Sequence, residues 1–121
     1  MAGIYTKTLT SRSFWPDRLS DFRIVTGVNA ESGERREVCY RGRVQGVGFR
    51  FTVRGLAAGY QVGGFVKNLP DGTVRLVAEG SAAELDRFLE AVTERMRDYI
   101  RESHTNTSPA TGEFRNFSIE H

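Results

Sequence analysis

Between Arg36 and Tyr60 the hydrophobic period lengthens from two residues to three or four across a glycine-rich junction. No other feature of the chain limits its fold as tightly. Residues 36–44 alternate, with Val38, Tyr40, Gly42 and Val44 on one face and Cys39, Arg41 and Arg43 on the other. That alternation predicts a strand. Beyond the junction Phe49, Val53, Leu56, Ala57 and Tyr60 recur at helical spacing. Gly55 costs such a helix about 1 kcal/mol relative to Ala, so periodicity rather than propensity carries the expectation. Gly59 offers a C-terminal stop.

The rest of the pattern extends this unit. Val62 to Asn68 reads as a second strand and Val74 to Glu79 as a third. Between them Leu69-Pro70-Asp71-Gly72 is a turn, because Pro presets φ and Gly tolerates positive φ at the exit, so the two strands should pair as an antiparallel hairpin. Ser81 and Glu84 form a capping box, with each side chain placed to satisfy a free backbone N–H of a second helix. Its apolar stripe is Leu85, Phe88, Leu89, Val92 and Met96. Tyr99 and Ile100 fit either one more helical turn or the start of a strand. A polar strand is expected over 101–108, then a loop from Ser108 to Gly112, then a short last strand with Phe114, Phe117 and Ile119.

The order β-α-β-β-α-(β)-β, with right-handed crossovers, folds most simply as a ferredoxin-like α/β (α+β) sandwich. An antiparallel sheet with two helices on one face is expected. Residues 1–35 show no sustained period and are read as an N-terminal extension, flexible or draped on the domain. The domain itself is expected over 36–121.

Composition removes several classes of function. A chain of 121 residues, 39% hydrophobic and 26% charged, suffices for one domain that buries roughly two thirds of its unfolded surface. Cys39 is the lone cysteine, which rules out an intrachain disulfide and suits a reducing compartment. The net charge of +2 is too balanced to argue for a nucleic-acid partner. No apolar run approaches the ~20 residues needed to span a bilayer, and Met1 to Asp21 lacks a signal-peptide core. A cytoplasmic monomer without membrane contact is expected. His104 and His121 have no second ligand at metal-site spacing, so neither a metal nor a cofactor is expected.

The chemistry concentrates in Gly42-Arg-Val-Gln-Gly46-Val-Gly48-Phe-Arg50. Glycines at Gly46 and Gly48 let successive N–H groups point into one concavity, an anion nest. A helix N-terminus adds free N–H groups and a positive dipole end. Arg50 adds a permanent charge on a planar fork that matches phosphate oxygens, in a helical turn where a cation is locally unfavourable. The same residues would also serve a plain tight turn with a solvated arginine. Other motif readings fail on detail. Phe51 stands where a dinucleotide fingerprint needs its third Gly, and no Lys-Ser or Lys-Thr completes a Walker loop. The run Gly46 to Phe51 is only weakly similar to an aromatic RNA-recognition strand, since here it opens a helix.

These residues resemble the acylphosphatase family. Gly42-x-Val44-Gln45-Gly46-Val47-Gly48-Phe49-Arg50 is similar to its phosphate-binding signature without a gap. Gly64-Phe-Val-Lys-Asn68-Leu-Pro-Asp-Gly-Thr-Val74, followed by Ala78-Glu79-Gly80, is similar to its second signature. The resemblance runs from about Arg36 to Ile119. It implies a ferredoxin-like fold and hydrolysis of acyl phosphates to carboxylate and phosphate, without metal, cofactor or covalent intermediate. A small-molecule acyl phosphate is the implied partner.

Carried over by position, the resemblance makes Arg50 the phosphate-binding arginine and Asn68 the residue that orients the attacking water. It makes the backbone of Arg43, Val44, Gln45, Gly46, Val47, Gly48 and Phe49 the phosphate cradle. The chain departs from the family pattern at Glu94 to Tyr99, in the polar fourth strand, and in residues 1–35, which have no counterpart in a minimal member. The alternative is a non-catalytic phosphate- or carbamoyl-phosphate-binding module, since the domain also resembles the N-terminal part of hydrogenase-maturation carbamoyltransferases. No further domain is expected after His121, and the presence of both Arg50 and Asn68 favours the enzyme.

Overall fold

The computed structural model describes residues 33–121. Nearly all of the expected N-terminal extension, residues 1–32, lies outside them. The described elements run β1 (Glu34–Gly42), α1 (Phe49–Ala57), β2 (Val62–Asn68), β3 (Val74–Gly80), α2 (Ala82–Arg95), β4 (Ile100–Pro109) and β5 (Phe117–Glu120). They build a five-stranded sheet in the order β4-β1-β3-β2-β5. This is the ferredoxin-like arrangement with one strand added beside β2. β1 begins two residues before the expected Arg36 and ends at Gly42, because its pairing with β4 shifts register between Arg41 and Gly42.

One expectation needs correction. The sheet is mixed, since β2 pairs antiparallel with β3 but parallel with β5. The loop after β4 explains it. β4 lies on one edge and β5 on the other, so the chain crosses one end of the sheet through residues 110–116 and enters β5 in the direction of β2. Along the way Ala110 N–H donates to Gly33 O at 3.1 Å, and Gly64 N–H donates to Asn116 O at 2.9 Å. Glu79 holds the middle of this loop, accepting from Thr111 N and Gly112 N at 3.0 Å and from Arg35 Nη1 at 3.0 Å.

Both helices cover the same face. Val38 and Tyr40 of β1, Val66 of β2, and Val74, Leu76 and Ala78 of β3 point into a core with Phe49, Val53 and Ala57 of α1 and Leu85, Phe88, Val92 and Met96 from α2 and its C-cap. Each such aliphatic or aromatic side chain contributes roughly 1.5–3 kcal/mol through burial. Tyr40 packs on Phe49 with ring centroids 5.1 Å apart, which seats the start of α1 on β1. The other face is partly covered as well. Val77 is fully buried there beside its cross-strand neighbour Phe65, whose ring meets Phe114 at 6.0 Å.

The capping box forms by half. Ser81 Oγ accepts from Glu84 N–H at 3.2 Å, but the Glu84 carboxylate turns to Gln61 N–H at 2.8 Å and so ties α2 to the start of β2. After α2 the chain makes one turn closed on Met96 O, which accepts from Tyr99 N–H and Ile100 N–H at 2.9 and 3.2 Å, and strand begins at Ile100. Arg43 N–H donates to Tyr99 O at 2.9 Å and Gly42 pairs with Ile100, so sheet pairing captures residues that local propensity leaves undecided. From Arg101 to Pro109 every residue of β4 is exposed, and its polar sequence suits an edge that must not recruit further strands.

Candidate active site

The turn from β1 into α1 is shaped by its glycines. Gly46 and Gly48 take φ of 79° and 77°, the left-handed region that glycine enters without strain. Gly48 is the N-cap of α1 and offers no side chain to the first helical turn, whereas Ser81 caps α2. The leading N–H groups of α1 therefore remain as donors beside the turn. No acidic residue occupies that first turn, so nothing opposes an incoming anion there.

A cleft of about 250 Å³ opens at this point, lined by Val44, Gly46, Gly48, Phe49, Arg50, Phe51 and Asn68, with Ile119 and His121 from the end of the chain. Arg50 stands in the first turn of α1. Its Nη1 donates to Glu120 O at 3.2 Å and lies 3.3 Å from His121 Nδ1, so the end of the chain holds one side of the guanidinium of a residue that lines the cleft.

Asn68 closes β2 on the core side, two residues beyond the buried Val66. Its Oδ1 is buried and accepts no hydrogen bond from any described residue. The adjacent turn does not need it. Leu69 N–H donates to Thr73 O at 2.9 Å, Gly72 N–H to Leu69 O at 3.1 Å, and Thr73 N–H and hydroxyl to Asp71 Oδ1 at 3.1 and 2.6 Å. The Thr73 hydroxyl and then its N–H hold the Asp71 carboxyl below the ordinary carboxylate range. A buried acceptor without a partner is costly, and the residue that carries it is one of those lining the cleft.

The residues singled out by sequence separate into those on the cleft and those behind it. Val44, Gly46, Gly48, Phe49, Arg50 and Asn68 converge on the cleft. Gln45 sits behind it, its amide turned to Leu69 O and Thr73 O. Val47 is exposed at the rim of the turn. Arg43 departs from its expected place in the cradle. Its N–H is taken by Tyr99 O, and its guanidinium lies over the Tyr99 ring at 5.6 Å, so it anchors the turn instead.

Sequence reasoning missed Ile119 and His121. The signal is the parallel register Val66↔Ile119 and Lys67↔Glu120, which carries the next residue, His121, alongside Asn68. Pairing between strands so distant in sequence cannot be read from either segment alone. Among the described residues no three His, Cys, Asp or Glu side chains gather as a metal-ligand set. None of the described helices is long and apolar enough to cross a membrane.

A ferredoxin-like sandwich with a glycine-rich turn, an arginine and an asparagine on one cleft defines a class of small α/β domains. The comparisons with known proteins narrow it. The family model described as Acylphosphatase matches residues 36–119. The acylphosphatase of Archaeoglobus fulgidus is 50% identical over 56 residues, covering 46% of this chain and 63% of that protein. The acylphosphatase of Paenarthrobacter aurescens is 42% identical over 79 residues, covering 64% of this chain and 84% of that protein. The crystal structure of acylphosphatase from Bacillus subtilis superposes with a TM-score of 0.66 at 32% identity, covering 73% of this chain and 99% of that one. This chain belongs to the acylphosphatase family. Its matched stretch spans just under two thirds of relatives such as the Archaeoglobus protein.

Proposed function

We propose that this chain is an acylphosphatase, a hydrolase that cleaves the carboxyl–phosphate bond of an acyl phosphate to carboxylate and orthophosphate. The observation that carries the reading is Asn68 Oδ1, a buried acceptor without a partner on the same cleft as Arg50 and the uncapped start of α1.

The backbone N–H groups of the turn and of the first turn of α1 hold the phosphate oxygens, and the Arg50 fork neutralises their charge. A water donates one hydrogen to Asn68 Oδ1, which leaves an oxygen lone pair directed at phosphorus. The water oxygen bonds to phosphorus as the bond from phosphorus to the acyl oxygen breaks, and the carboxylate leaves with that electron pair. An amide does not accept a proton near neutral pH, so the water proton passes to a non-bridging phosphate oxygen. The carboxylate is a good leaving group, and the loose transition state of phosphoryl transfer depends mainly on position and electrostatic stabilisation. A cytoplasmic, monomeric protein acting without metal belongs to the same reading.

The test is release of benzoate from benzoyl phosphate at neutral pH with a chelator present, by the wild type and by Arg50→Ala and Asn68→Ala. Wild-type turnover that collapses in both variants supports the assignment. Absence of wild-type turnover leaves an anion-binding module and sinks it.

A further inference from the structure

Among the described residues the titratable side chains that line the cleft are Arg50 and His121. They meet each other, with Arg50 Nη1 3.3 Å from His121 Nδ1. A guanidinium has donors and no acceptor, so this hydrogen bond forms only when Nδ1 carries no proton and the imidazole is neutral. Protonated, the same ring sets a second cation against the first and has no lone pair to offer it. Neighbouring charges do not relieve that conflict. Lys67 and Glu120 alternate to the other face of the sheet, away from Val66 and Ile119. Arg54 lies one turn further along α1, over the Phe51 ring, and the Arg43 guanidinium lies over Tyr99. No carboxylate is among the described residues that line the cleft.

An anion changes the balance. Set between Arg50 and an imidazolium, it offsets their repulsion and accepts a charge-assisted hydrogen bond from each. Anion binding and protonation of His121 therefore favour each other, by the same factor in both directions. We propose that His121 is a second phosphate-binding residue of this cleft, which leaves its contact with Arg50 and turns a ring N–H to the anion. Such a role rests on the function proposed above only for its phosphate site, and not on turnover. Histidine changes charge between about pH 5 and 8, so the hold on an anion should strengthen in acid.

Sulfate is the probe, because it keeps two negative charges across the range in which phosphate itself titrates. Its dissociation constant is measured by calorimetry at pH 8.5 and pH 5.5 on the wild type, His121→Gln, His121→Lys and His104→Gln. His121 is exposed, so its substitutions should leave the fold intact. Coupling between solvent-exposed charges lies at the low end of the usual range, and the wild-type constant should fall about fivefold at pH 5.5. His121→Gln should lose that change, and His121→Lys should bind at pH 8.5 about as the wild type does at pH 5.5. The chain's other histidine, His104, lies on the opposite edge strand β4 against Glu102, so His104→Gln should respond as the wild type does. A wild-type constant that stays level or rises in acid overturns the role, as does a fall that survives in His121→Gln. A wild type that binds no sulfate at either pH overturns it too, whatever its turnover. The expected sulfate response in a protein that cleaves no acyl phosphate would remove the hydrolase reading and support the role of His121.

Discussion

The side-chain amide of Gln45 donates to the main-chain carbonyl of Leu69 at 2.8 Å, and its second N–H reaches Thr73 O at the same distance. One residue of the glycine-rich turn thereby holds the hairpin that begins at Asn68. The glycine-rich turn and Asn68 come from segments more than twenty residues apart, and this tether fixes one against the other.

Gln45→Ala leaves two half-buried carbonyls without their donor, and should cost about 1–3 kcal/mol of stability. It should also lower kcat/KM for benzoyl phosphate about tenfold or more, because small misplacements of reacting groups are expensive. Gln45→Glu sets a carboxylate against two carbonyl oxygens and should be worse on both counts. Urea denaturation and steady-state kinetics check this, and a Gln45→Glu protein as stable as the wild type would show that the tether is not formed.

The two polar groups on the cleft should fail differently. Arg50→Lys keeps the charge but loses the fork, so the inhibition constant for inorganic phosphate should rise about tenfold. On the proposed mechanism Asn68→Ala removes an interaction with water rather than phosphate. It should lower kcat by roughly 10²–10³ and leave phosphate inhibition near the wild-type value. Equal loss of phosphate affinity in both variants would contradict these separate roles.

Gly64 should tolerate no side chain. Its φ is 149°, and a Cβ there would lie 1.9 Å from Val77 O on the neighbouring strand. Gly64→Ala should destabilise by more than about 3 kcal/mol, since backbone must move. At Gly48 a Cβ meets nothing within 4 Å, so Gly48→Ala carries only the strain of a left-handed backbone, about 1–2 kcal/mol. Thermal melts of the two variants should differ accordingly.

Glu79 should give the fold a pH dependence. Burial alone pushes its carboxyl up, but the Thr111 and Gly112 N–H groups, with Arg35 and the Thr111 hydroxyl, outweigh burial and hold it below the usual range. A depressed folded value means stability that is present above the ordinary carboxylate pKa and is lost as pH falls through the folded value. Glu79→Gln should cost about 1–3 kcal/mol at pH 7 and progressively less toward pH 3. Urea midpoints of both proteins across that range provide the check; parallel curves would remove Glu79 as the source.

What the sequence determined by itself is what local patterns encode. The change of period at Gly42–Phe49 reports a strand turning into a helix, because glycine alone enters Gly46 and Gly48 backbone geometry cheaply. Ser81 marks the start of α2, and Leu69 to Gly72 marks the hairpin. Arg50 stood out as a candidate for the same local reason, whereas Asn68 was singled out by the resemblance to the second signature. Tertiary structure decided what depends on pairing across the chain. Ile100 joined the sheet because Gly42 was there to pair with it, and Tyr99, in the turn before it, accepts from Arg43 N–H. The same bond withdrew the Arg43 N–H from the nest. The crossing of residues 110–116 made β5 parallel to β2, and that register delivered Ile119 and His121 to the cleft. Gln45 became a tether because two carbonyls more than twenty residues away lay within reach of its amide. Local propensity ranks conformations of a few residues, whereas a hydrogen bond between distant segments exists only once the fold has brought its partners together.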